Sequence, residues 1–158
     1  MSSVDFMEAL NLKEDQTEKP IDPPQGTYTW AVNKVPTVET SKSGEWTIVE
    51  FPLVGVSAEE DVDEDALGLV GGADKVYARI SFMAPTDEDK DNDRKKTLDR
   101  IWKFIERVLR VDDWEEMNLR EALDACKGYQ FLGQLVWEPR KDDPDQINIE
   151  IKSPSPLD

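Results

Sequence analysis

The chain has 158 residues, no histidine, one cysteine and a formal net charge of −16. The missing imidazole argues against a zinc site and against hydrolase triads that need a histidine base, and the lone Cys126 leaves no internal disulfide. An acidic chain opposes phosphate binding if its charge is evenly spread, so the placement of its cations decides more than their sum.

The length suits one domain with a sizeable core. With 38% hydrophobic and 34% charged residues, that core is expected to be diluted by polar tails and loops. No signal-peptide pattern opens the sequence, and no apolar run approaches the ~20 residues that span a bilayer. A cytosolic protein without membrane contact is expected.

Residues 1–25 read as a flexible leader carrying Pro20, Pro23 and Pro24. Its Phe6, Met7 and Leu10 offer a second reading, a short docking peptide for a partner or a sister subunit. The folded domain is expected over residues 26–152. Residues 27–38 are β-branched and aromatic and predict a first strand, with Pro36 near its end. After the small polar turn 39–44, residues 45–56 predict a second strand with Thr47, Val49, Phe51 and Leu53 inward. Residues 57–67 are strongly acidic and read as a solvated loop. Residues 75–83 predict a third strand, with Val76, Ala78, Ile80 and Phe82 inward and Tyr77, Arg79 and Ser81 outward.

The acidic turn 84–93 leads into a helix over residues 94–110, with Asp93 as its expected N-cap. Leu98, Ile101, Trp102, Ile105, Val108 and Leu109 recur at helical spacing and define its apolar face. A second, short helix is signalled by Asn118 with Glu121 in capping-box spacing, and Gly128 stops it. Residues 129–137 and 146–152 predict strands four and five, the last with Ile147, Ile149 and Ile151 inward. Residues 153–158 read as a short tail broken by prolines. Three strands, a helix and two strands match the element order of a five-stranded OB-fold-like antiparallel barrel, mainly β with α.

The acidic runs do not make calcium loops. A loop starting at Asp87 has Asn92 where glycine is needed and Leu98 where the closing glutamate belongs. A loop starting at Asp63 has Leu67 at the fifth ligand position. Residues 68–72 lack the lysine and hydroxyl of a phosphate loop. No cofactor is called for, and enzymatic chemistry is a poor reading.

The cations are clustered. In the helix, seven lysines and arginines stand against Asp99 and Glu106, an excess of five. Elsewhere Lys34, Lys42 and Arg79 fall among strands, with Arg140 and Lys141 in the last loop. Aromatic side chains lie beside them: Tyr28 and Trp30 share a strand face with Lys34, Trp46 follows Lys42, and Tyr77 shares a face with Arg79. Bases stacked on rings beside a basic track are how single strands are held without sequence reading. In an OB barrel the binding surface is the face of strands two and three with the one–two and four–five loops. Lys42, Trp46, Tyr77, Arg79, Arg140 and Lys141 map there. Trp30, Trp46 and Trp137 also suit a small core. The basic helix falls away from that face and reads as structural.

Gly26-Thr27-Tyr28, Ser41-Lys42-Ser43-Gly44, the strand from Trp46 and the helix Leu98 to Leu109 form a pattern. Gly128-Tyr129-Gln130-Phe131 and Asn148-Ile149-Glu150-Ile151 complete it. Together they resemble the phage-encoded single-stranded-DNA-binding proteins with an OB-fold. The resemblance implies sequence-independent binding of single-stranded DNA in phage replication or recombination, in the cytoplasm of the infected host cell. It also implies phage replication or recombination proteins as partners, commonly recruited by an acidic tail. Here residues 153–158 carry a single acid, Asp158. Two rivals use the acidity directly: an interaction or virion-structural module without nucleic-acid binding, and a DNA mimic.

Overall fold

The computed structural model describes residues 21–157 together with Leu10. Phe6 and Met7 lie outside the described residues, and Leu10 is exposed. The chain forms one antiparallel sheet of six strands with helices against it, not closed into a barrel.

The first expected strand is two. β1 (Gly26–Val32) ends where Val35 and Pro36 interrupt the ladder, and β2 (Thr37–Thr40) resumes after them. Proline has no N–H to give a neighbouring strand, so a break at Pro36 is the physical outcome. β3 (Trp46–Ala58) is long enough to serve three partners. On one edge β2 pairs with residues 47–50 and β1 with residues 53–58, while β4 (Tyr77–Pro85) takes the other edge from Trp46 to Val54. β1 also pairs with β5 (Gln130–Pro139), and β5 with β6 (Ile147–Ser155). β6 runs through Pro154 at an outer edge, so three residues expected in the tail belong to the sheet. A register shift opposite Leu132 and Gln134, with Ser153 at φ 50°, absorbs the irregularity.

The acidic segment expected to be a loop contains a helix, α1 (Glu64–Val70). Asp63 caps it by accepting from the N–H groups of Asp65 and Ala66, and two acids favour its first turn. Gly71 ends it at φ 98°, a left-handed conformation suited to glycine.

α2 (Asp91–Lys103) begins three residues earlier than expected. Asp93 therefore lies inside it, and the capping aspartate upstream is Asp87, which serves the preceding 3-10 turn Glu88–Lys90. The helix widens into a π-helical segment, Phe104–Leu109. Its buried row is Thr97, Ile101, Phe104, Ile105 and Leu109, whereas Leu98 is 41% exposed. The inward face is thus rotated by about one residue from the hydrophobic count, because the Thr97 hydroxyl donates to the Met83 carbonyl at 2.9 Å and seats the first turns on β4. Phe104 packs edge-on against Phe51 and Phe131 and beside Phe82, with ring centroids 5.1–5.8 Å apart. These rings join both halves of the sheet to the helix.

α3 (Leu119–Ala125) has both hydrogen bonds of the expected capping box between Asn118 and Glu121. Gly128, at φ 92°, turns the chain into β5. Trp30, Tyr28, Phe51, Leu53, Phe131 and Leu135 fill the centre of the core. No helix among the described residues is long and apolar enough to cross a membrane.

Candidate nucleic-acid interface

Alternation along β3 and β4 puts Val49, Phe51 and Leu53 in the core and turns the neighbouring residues outward. The outward pairs are Val54 with Tyr77, Pro52 with Arg79, Glu50 with Ser81, Ile48 with Met83, and Trp46 with Pro85. Tyr77 is 60% exposed at the start of this ladder. Trp46 stands at the other end, eight residues along β3, or roughly 26 Å at ~3.3 Å per residue. The two aromatic side chains picked from the sequence share a face but cannot hold adjacent bases.

Between them, Lys42, Arg79, Ser41, Ile48, Glu39 and Glu50 line a shallow groove of about 320 Å³. The turn 41–44 is held together by the Ser41 and Ser43 hydroxyls and presents an exposed Lys42. The structure thus brings Lys42 and Arg79 together. Arg79 is not unopposed, since its Nη1 sits 2.9 Å from Glu50 Oε1.

The loop after β5 behaves similarly. Arg140 donates through Nε and Nη2 to both carboxylate oxygens of Asp142, at 3.1 and 2.9 Å. Lys152 lies 3.1 Å from Glu150, which raises its pKa above the ordinary lysine value. Arg140, Lys141 and Lys152 border one groove with Glu138, Asp142 and Glu150. Such fork-shaped arginine contacts must be broken or shared before a phosphate can bind.

β4 and β6 do not pair with one another, which leaves the sheet open. Residues 77–81 and 147–151 face one another across a cleft of about 740 Å³. Tyr77 and Arg79 stand on one rim and Asn148 and Glu150 on the other.

A different grouping lies at the Trp46 end. Trp46, Met83 and Pro85 from the sheet meet Lys90, Asp93, Lys96, Thr97, Asp99 and Arg100 from the helix side in a groove of about 550 Å³. The basic helix expected to lie clear of the binding aromatics therefore adjoins one of them. Sequence reasoning missed this because about fifty residues separate Trp46 from Lys96. The spacing of Lys96 and Arg100, four apart on one helix face, was the available signal.

Several expected contacts fall away. Tyr28 and Trp30 are fully buried, and Trp30 Nε1 donates to the Gly133 carbonyl at 3.0 Å. The Tyr28 hydroxyl donates to the Pro24 carbonyl, and burial, then the nearby Asp61 charge, pushes its pKa up to about 12. Neither ring can stack on a base. Lys34 is exposed in the break between β1 and β2 and lines none of these grooves, so it shares no face with those rings. Trp137 is half-exposed, and its indole N–H donates to the Pro23 carbonyl at 2.8 Å. Residues 23–25 are thus fastened to the sheet rather than belonging to a free leader. Cys126 is buried with its pKa raised to about 12 by desolvation, which leaves its thiol unreactive. Among the described residues no group of three acidic or thiol side chains is arranged to hold a metal ion.

No protein-family profile matches the chain, and no curated protein is significantly similar to it.

Proposed function

We propose that the chain is a non-catalytic, largely sequence-independent single-stranded-DNA-binding domain. Its sheet is read as an opened version of the five-stranded OB arrangement, with the first strand split at Pro36 and the β4 and β6 edges unjoined. The observation that carries the proposal is the outward β3–β4 face, where an exposed Tyr77 and Arg79 adjoin the groove holding Lys42. The loop with Arg140 and Lys141 lies where the fourth and fifth strands of such a fold connect. The resemblance of residues 26–152 to phage single-stranded-DNA-binding proteins adds replication or recombination as the setting, with proteins of those processes as partners.

The test is oligo-dT binding at two salt concentrations. Affinity is expected to fall as salt rises, with a slope of about −0.7 per phosphate contact. No binding at low salt would remove the proposal.

A second reading has its own observation. Arg79, Arg140 and Lys152 already face carboxylates within 4 Å, as they would in an acidic interaction module or a DNA mimic. That reading expects no affinity for oligo-dT and competition with DNA for a third protein.

A further inference from the structure

Among the described residues, Arg79 on the sheet face and Arg140 in the loop after β5 are engaged, Lys42 is not, and the helix-side groove gathers three more unengaged cations. Lys90, Lys96 and Arg100 line it, and none has a carboxylate within 4 Å among the described residues. Of the two acids in the same wall, Asp99 is held by Lys103 at 2.7 Å, which leaves Asp93 as the unengaged one. Arg100 is oriented by its Nη2 donating to Thr97 Oγ1 at 3.2 Å, and Thr97 is itself tied to the Met83 carbonyl. The floor is apolar and aromatic: half-buried Trp46, with Pro85 beside it and Met83 43% exposed. An aromatic floor under a wall where three unengaged cations outnumber the one free acid, Asp93, suits a stacked base with its phosphate, the chemistry that holds single strands.

The groove is continuous with the sheet face. Met83 borders the helix groove and lies directly opposite Ile48, which borders the groove of Lys42 and Arg79. We infer that a bound single strand does not stop at the sheet but runs along the β3–β4 ladder and turns into this groove. There a base stacks on Trp46 and the flanking phosphates meet Lys96 and Arg100, with Lys90 at the mouth. The helix is then part of the binding surface. This rests on the reading of the chain as a single-strand binder.

The experiment uses oligo-dT of about 16 nucleotides, the upper end of the site size of one such domain. It compares the full chain with Lys96→Glu/Arg100→Glu and with Lys42→Glu/Arg79→Glu, over a salt series. All four side chains are exposed, and thermal unfolding checks that each variant keeps its fold. The helix double variant is expected to lose about tenfold or more in affinity and to flatten the salt slope by roughly 1.4, two contacts' worth. Photo-crosslinking with a halogenated-uracil oligonucleotide is expected to mark the Trp46 peptide, a readout that the other four tryptophans do not blur. If the parent chain binds and the helix variant matches it in affinity and slope, this inference fails while the sheet-face proposal stands. Loss in the helix variant alone would keep the groove and remove the sheet face. If the parent chain does not bind at all, both fall together.

Discussion

At the Tyr77 end of the β3–β4 ladder, Arg79 is held 2.9 Å from Glu50, whereas at the Trp46 end Lys90, Lys96 and Arg100 face a groove without such partners among the described residues. Both ends carry one usable ring and at least one cation. They differ in what a phosphate would meet there: at one end a cation already held by a carboxylate, at the other three cations without such a partner, beside Asp93. In a chain of net charge −16, this pairing pattern says more about anion binding than the total does.

The largest effect is expected at Phe104, whose ring ties α2 to β3 and β5. Phe104→Ala is expected to cost about 3–5 kcal/mol of stability, read by denaturant unfolding, and to disorganise the helix-side groove before the sheet face. Gly55 tests the opposite end. A Cβ there would stand 2.2 Å from the Ala73 carbonyl oxygen, so the 3-10 turn Ala73–Lys75 can rest on β3 only because Gly55 has no side chain. Gly55→Ala is expected to destabilise by about 2 kcal/mol and to displace the start of β4, weakening binding at Tyr77 while sparing the Trp46 groove.

Asp61 gives a smaller, pH-dependent effect. It accepts from the Thr27 N–H and hydroxyl, both at 2.9 Å, and the backbone bond chiefly holds its carboxyl below the usual range. The folded state therefore favours the ionised form. Its contribution is present above the ordinary carboxylate pKa and is lost as pH falls through the lowered folded value. Asp61→Ala should cost about 1 kcal/mol at neutral pH, and that difference should shrink in acid; thermal melts at several pH values would read it. The smallest effect is expected at Glu50, the partner of Arg79. Glu50→Gln releases Arg79 and should raise low-salt oligo-dT affinity by roughly two- to fivefold, in keeping with the strength of an exposed ion pair.

Much of the architecture was legible because it depends on local rules. Alternation along β3 and β4 separated Val49, Phe51 and Leu53 from Ile48, Glu50 and Tyr77, and the Asn118–Glu121 spacing located α3. What escaped depends on packing between distant segments. Phe104 stood outside the counted stripe, and only its contacts with Phe51, Phe82 and Phe131 reveal it as central. Leu98 was counted and is exposed, because Thr97 fixes the rotation of α2 through one hydrogen bond. The acidic run concealed α1, whose start depends on the cap at Asp63 rather than on apolar spacing. For the candidate site, residue types were readable and their grouping was not. Lys42 and Arg79 came together as expected, Trp46 and Tyr77 did not, and the basic helix moved from bystander to neighbour.

The interruption at Pro36 also separates two grades of motion. β1 is locked between β3 and β5, with Tyr28, Trp30 and Val32 buried, while β2 is four exposed residues paired only to β3. The segment from residue 37 to residue 45 buries almost no side chain and is held by one short ladder to β3 and by the Thr86 N–H and hydroxyl, which donate to the Glu45 and Gly44 carbonyls. Its amides should exchange with solvent through local opening, and those of β1 only when the whole domain unfolds. Lys42 lies in the turn of the β2–β3 hairpin, so this cation is carried by a segment that adds little to the core.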